Sequence, residues 1–132
     1  MAVRGLDRAT VLALSRRSDA RGLAQLAMHL ALLALTGALI HASLGSWWLL
    51  PALVLHGGVL VFLFCALHEG VHRTPFASRW LNDAVAWIVG ALLMLPAGYF
   101  RLFHFAHHRF TQDPARDPEL LTPKADSLAR WL

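Results

Sequence analysis

Cysteine is almost absent from this sequence: Cys65 stands alone among 132 residues. A single thiol excludes an intrachain disulfide and any cysteine-built zinc site. One turn before His68, it reads as a small apolar filler of a helix. Charge is missing too, and from one place. Between Gly22 and His68 there is no Lys, Arg, Asp or Glu, and an uncharged stretch of that length belongs in a bilayer. No basic run alternates with aromatic residues, which sets a nucleic-acid partner aside. No internal repeat or low-complexity tract is present. A cleaved signal peptide is not expected, because the apolar run starts only after Arg21 and outlasts a signal core of roughly 7–15 residues.

What remains is strongly apolar. Hydrophobic residues make up 57% of the chain and the mean hydropathy is +0.50, whereas roughly 45–50% apolar is usual for a soluble domain. The net charge of +4 comes from arginines that flank the apolar parts; they read as orienting charges. Leu6–Ser15 has the pattern of a modest amphipathic helix lying on a membrane surface. Ser18 is placed to cap the next helix, with Asp19 favourable beside its positive end. The first spanning candidate runs from about Leu23 to Leu44, interrupted by Gln25, His29, Thr36 and His41. Gly45-Ser46 makes a turn. The second, Trp47–Leu67, is 21 residues long, about 32 Å at the rise of an α-helix, which matches a hydrocarbon core of about 30 Å. Trp47 and Trp48 fall where an interfacial aromatic belt sits, and Pro51 falls in the first turn, where it costs least. Arg4, Arg8, Arg16, Arg17 and Arg21 precede the hairpin, its turn has none, and Arg73 and Arg79 follow. The positive-inside rule then predicts both ends in the cytoplasm.

Two histidine clusters follow. His68-Glu69-Gly70-Val71-His72 puts two imidazoles at i and i+4. His104-Phe105-Ala106-His107-His108 puts three at i, i+3 and i+4. Each set projects from one helical face. Neutral imidazole is the commonest protein ligand for zinc and iron, so the five rings predict one metal site assembled from two pieces. His29, His41 and His56 lack such spacing and read as ordinary intrahelical histidines. Between the clusters, Ala84–Leu95 is apolar on every side but only about 18 Å long before Pro96-Ala97-Gly98 breaks it. It is too short to span, and a crossing would carry the second cluster to the far side of the membrane. It is expected to dip or lie flat. Tyr99–Phe110 then reads as an amphipathic helix, with Tyr99, Leu102, Phe103, Ala106 and Phe110 opposite the histidines. Gln112–Glu119 is polar and turn-forming. Within it Asp113, Asp117 or Glu119 is placed to hold a ligand histidine from behind, or to be simply solvated.

Two other readings compete, one on the first cluster and one on the histidines outside both clusters. His68-Glu69-Gly70-Val71-His72 also spells HExxH, the zinc metalloprotease motif with Glu69 as general base, but one further ligand would complete that site, leaving three histidines on one face unexplained. A haem-carrying subunit ligated by His29, His41 or His56 would explain intramembrane histidines and leave both clusters idle.

The two clusters, HxxxH followed by HxxHH after a membrane hairpin, together with the trailing Asp-Pro pairs, resemble the membrane-bound fatty acid desaturase and hydroxylase superfamily. The resemblance covers nearly the whole chain. It implies that His68, His72, His104, His107 and His108 are ligands of a non-haem diiron centre. O2 would be the co-substrate, an acyl chain of a membrane lipid the substrate, and a ferredoxin- or cytochrome-type protein the electron donor. Spacing alone does not separate iron from zinc. The family's third histidine box and second hairpin are absent, and the chain stops at Arg130-Trp131-Leu132, so it is expected to be the N-terminal portion. Its metal site would then be completed by a C-terminal half or another chain.

The expected fold is all-α and integral to the membrane, with a bacterial inner membrane as the expected location. It comprises a surface helix (1–20), a two-span hairpin (23–67), an interfacial or re-entrant segment with the second box (84–110), and a cytosolic tail (111–132).

Overall fold

The computed structural model describes residues 7–121, which form seven helices and no strand. Asp7 caps α1 (Arg8–Leu14) by accepting the Thr10 amide at 2.7 Å. The helix starts two residues later than the sequence pattern implied, because a capping aspartate stands outside the helical dihedrals; Leu6 lies outside the described residues. Ser18 caps α2 (Asp19–Ala42) in turn.

Among the described residues two helices are long and apolar enough to cross a membrane: α2, and the helical stretch Leu49–His72, both of 24 residues. The second is α3 (Leu49–Val61) continued by α4 (Leu63–His72), with a break at Phe62. The pair is tied together by the polar groups that interrupt the apolar run. His29 Nε2 lies 2.9 Å from the Val59 carbonyl and His56 Nδ1 lies 2.8 Å from Thr36 Oγ1. A carbonyl drawn towards a side-chain donor is a recognised cause of a local break, and Val59 stands three residues before Phe62. Elsewhere the hairpin exposes its large apolar side chains, Leu35, Leu50, Val54 and Val61 among them, as a lipid-facing surface does.

The second helix runs one turn further than the hydropathy pattern indicated, so the first histidine cluster occupies its last turns. It stops at Arg73, in the left-handed conformation at φ 57°, whose guanidinium grips Asp83 with two hydrogen bonds of 3.0 and 2.9 Å. The loop to α5 (Arg79–Leu92) is organised by Asn82, 1% exposed. Its amide donates to the carbonyls of Phe76 (3.0 Å) and Ser78 (2.8 Å) and its oxygen accepts the Phe76 amide at 3.3 Å. Asn82 therefore sits on the buried face of α5, and the helix begins five residues ahead of the apolar run at Ala84. A polar residue whose donors and acceptor are all engaged can be buried at no great cost.

Phe76, buried by this loop, lies against Gly22 of α2, where a Cβ would come within 2.5 Å of its ring. Next to it the Asp19 carboxylate accepts both the amide (2.8 Å) and the hydroxyl (2.6 Å) of Ser78. Asp19 thus joins the start of the first span to the start of α5. Along α4, Gly70 admits α5 closely; a Cβ there would meet Ala86 Cβ at 3.0 Å and the Asn82 carbonyl at 3.2 Å. Leu63, Leu67, Val71, Val85, Ala86, Val89, Ala97 and Phe100 close the core around this contact.

After Leu92 the chain turns through 104° into α6 (Ala97–Phe110). The turn brings the second cluster back to the first, as a dipping or flat segment requires. Ala84–Leu95 is not uniform in its surroundings: Val85, Ala86 and Val89 are buried while Trp87, Ile88 and Leu92 are exposed. On α6, Tyr99 and Leu102 are exposed, while Phe100 and Ala97 pack inward. The described chain ends with the short α7 (Pro118–Leu121).

Candidate metal centre

The last two turns of α4 carry His68 and His72 side by side, ring centroids 5.0 Å apart. Opposite them, α6 presents His104, buried at 8% exposure. His72 Nε2 lies 2.8 Å and His108 Nε2 2.9 Å from His104 Nε2, and the His68 and His104 rings are 4.4 Å apart. One donor nitrogen from each of His68, His72, His104 and His108 falls within 4.8 Å of the others. The geometry suits a metal. Imidazole nitrogens bind zinc at about 2.0–2.1 Å, which separates tetrahedral neighbours by roughly 3.3 Å; small side-chain rotations reach that spacing from the present one.

The surroundings keep the lone pairs available. Burial, and then the neighbouring His68 and His108, push the pKa of His104 down to about 4, so at neutral pH it is an unprotonated donor. Phe100 stacks on its ring at 5.1 Å and 13°. Arg101 donates to the Val71 carbonyl at 2.6 Å and lies 4.8 Å over the Phe105 ring. It thereby anchors α6 to the end of α4 and satisfies a carbonyl that the helix leaves unpaired. His68 turns Nδ1 to Glu69 at 3.0 Å, which leaves Nε2 for the cluster. Glu69 is held on its other side by the Thr74 hydroxyl.

His107 is placed differently. Its Nδ1 lies 2.8 Å from Asp117 Oδ1, its ring centroid is 5.8 Å from that of His108, and it stands beside the group of four. The hydrogen bond to Asp117 raises its pKa above the ordinary histidine value. Of the three acidic residues offered by the tail, Asp117 is the one that meets a histidine closely. Asp113 turns to Arg116 at 2.6 Å and to the Ala115 amide, and Glu119 stays 3.6 Å from His107. His29 and His56 are occupied by the contacts across the hairpin, and His41 is exposed on α2. None of the three joins the cluster. The sequence reading missed Phe100, Arg101 and Asn82. Phe100 was within reach, since it lies four residues before His104 and so on the same face. Arg101 and Asn82 act through backbone carbonyls of other segments, which no periodicity marks.

A helical membrane hairpin that ends in a nest of converging histidine nitrogens defines the class: a membrane protein with a candidate histidine metal centre. Comparison with known proteins narrows it. The sequence model of the fatty acid desaturase family matches residues 45–132, and the chain belongs to that family. Similar proteins include the sn-1 oleoyl-lipid 12-desaturase of Anabaena variabilis, 30% identical over 90 residues, which are 67% of this chain and 26% of that protein. The Delta(12)-acyl-lipid-desaturase of Punica granatum is 30% identical over 98 residues, 74% of this chain and 24% of its own length. The Delta(12) fatty acid desaturase of Mortierella isabellina is 28% identical over 82 residues, 62% and 19% respectively. The chain therefore spans only about a fifth to a quarter of the curated relatives it matches. No solved structure matches it.

Proposed function

We propose that this chain carries the first two histidine boxes of a membrane acyl-lipid desaturase, with His68, His72, His104, His107 and His108 as iron ligands. The observation that carries this reading is the meeting of the two boxes on α4 and α6, with nitrogens of His72 and His104, 32 residues apart in sequence, 2.8 Å from each other. The chemistry that non-haem iron supplies when bound is O2-dependent oxidation of an unactivated acyl C–H bond, with two electrons from a ferredoxin- or cytochrome-type donor. The chain's own part is to hold, orient and shield. His104, buried and unprotonated, is the central donor, Phe100 fixes its ring plane, and Glu69 turns His68 towards the cluster.

His108 is exposed at the open edge of the group. We place the remaining donors there, supplied by a segment or chain beyond these residues, since five histidines fall short of two fully ligated irons. The arginines flanking the hairpin support a cytoplasmic position for this edge, by the positive-inside rule. The protease reading gains nothing, because the Glu69 carboxylate is engaged by Thr74 and His68.

The test is to express the chain with a completing segment from a relative and follow membrane acyl composition and bound metal. New unsaturation that vanishes in His104→Ala is expected. Iron-free protein, or zinc-loaded protein whose peptide hydrolysis is lost in Glu69→Gln, would contradict the proposal.

A further inference from the structure

The stretch after the second box folds around one carboxylate. Asp117 is 1% exposed, a burial that an ionised group tolerates only when its oxygens are engaged. Oδ1 accepts the Glu119 amide at 3.0 Å and faces His107 Nδ1 at 2.8 Å; Oδ2 accepts the Gln112 amide at 3.0 Å. Its own amide donates to the Asp113 carbonyl at 2.8 Å. The carboxylate is thus fixed by the backbone on both sides, and it is not free to follow the imidazole; the imidazole must follow it.

An ionised carboxylate only accepts hydrogen bonds. The proton of neutral His107 must then reside on Nδ1, and the lone pair on Nε2. Free neutral histidine prefers the opposite tautomer, so this choice is imposed by the fold.

We infer that Asp117 is a positioning residue for the metal centre: it selects the Nδ1–H tautomer of His107 and aims Nε2 as a metal donor. This rests on the reading of His107 as a ligand. A carboxylate behind a ligating histidine also raises its basicity and fixes its ring, and loss of such a partner commonly weakens metal binding about 10- to 100-fold. The competing explanation is that Asp117 merely holds the turn between α6 and α7.

Two measurements on the whole chain in bilayers separate these. The first needs no metal. Ring-nitrogen NMR of histidine-labelled protein, at a pH where His107 is neutral, reads the tautomer, with His107→Ala identifying its signals by their loss. The expected result is a proton on Nδ1 in the wild type and a shift towards Nε2 in Asp117→Ala. A proton on Nε2 in the wild type, or an unchanged tautomer in the variant, overturns the inference. Asp117→Leu, close to aspartate in size and without an acceptor for Nδ1–H, serves if the alanine variant does not fold.

The second is an Fe(II) titration across the double-mutant cycle of Asp117 and His107. A loss of about 10- to 100-fold in Asp117→Ala, with no further loss when His107 is already alanine, supports the assignment. Losses that add in full show that Asp117 holds the turn alone, and overturn it. Wild-type protein that takes up no Fe(II) counts against the proposed function, while the tautomer still decides the role of Asp117.

Discussion

His104 occupies the middle of the histidine group, and its neighbours are those that a metal ligand needs. Phe100 fixes its ring, burial keeps it unprotonated, and the nitrogens of His72 and His108 face its own within 2.9 Å. His104→Ala removes the only buried donor of the four. Iron affinity is expected to fall by more than the roughly 10- to 100-fold typical of partners behind a ligand, as read by metal content after dialysis. Asn82 has a different importance. It touches no histidine, yet Asn82→Ala would leave the amide and carbonyl of buried Phe76 without their partner and take one of two donors from the Ser78 carbonyl. The expected cost is about 1–3 kcal/mol, measured as a lowered unfolding midpoint in detergent micelles.

Among the elements, the contact between α4 and α5 sets where α6 begins and so where the second box arrives. Gly70 allows that contact. Gly70→Val would press against Ala86 and the Asn82 carbonyl, with an expected loss of about 1–3 kcal/mol from overpacking and weaker iron binding, although no ligand is changed. Asp19 ties α2 to α5 through Ser78. Asp19→Ala should speed amide exchange in residues 73–82 and leave the hairpin amides unchanged; exchange altered in both, or in neither, would show that the tie does not act locally.

Much of this architecture was legible because it is local. A long apolar stretch free of charged residues gives the hairpin, and i, i+3 and i+4 spacing gives the histidine faces. The rest depends on partners far along the chain. Asp19 and Ser78 are 59 residues apart, so an N-terminal aspartate reads from sequence only as favourable to its helix dipole. The start of α5 at Arg79 was hidden because Asn82 looks polar until its carbonyl partners in the 76–78 loop are in place. The choice of Asp117 over Asp113 and Glu119 was open for the same reason: spacing from His107 does not say which carboxylate the turn buries.

At the scale of the whole molecule, the hairpin and the bent α5–α6 pair serve one end, which brings two histidine-bearing helices to a common point beside the spans. The chain belongs to the fatty acid desaturase family, and the matched residues 45–132 hold both boxes. The most direct measurement is X-ray absorption at the iron edge on Fe(II)-loaded chain in bilayers, repeated for His72→Ala and His104→Ala. Imidazole scattering that diminishes in both variants is expected, one from each box. Iron without imidazole neighbours, or a spectrum indifferent to the loss of one box, would contradict a shared metal centre.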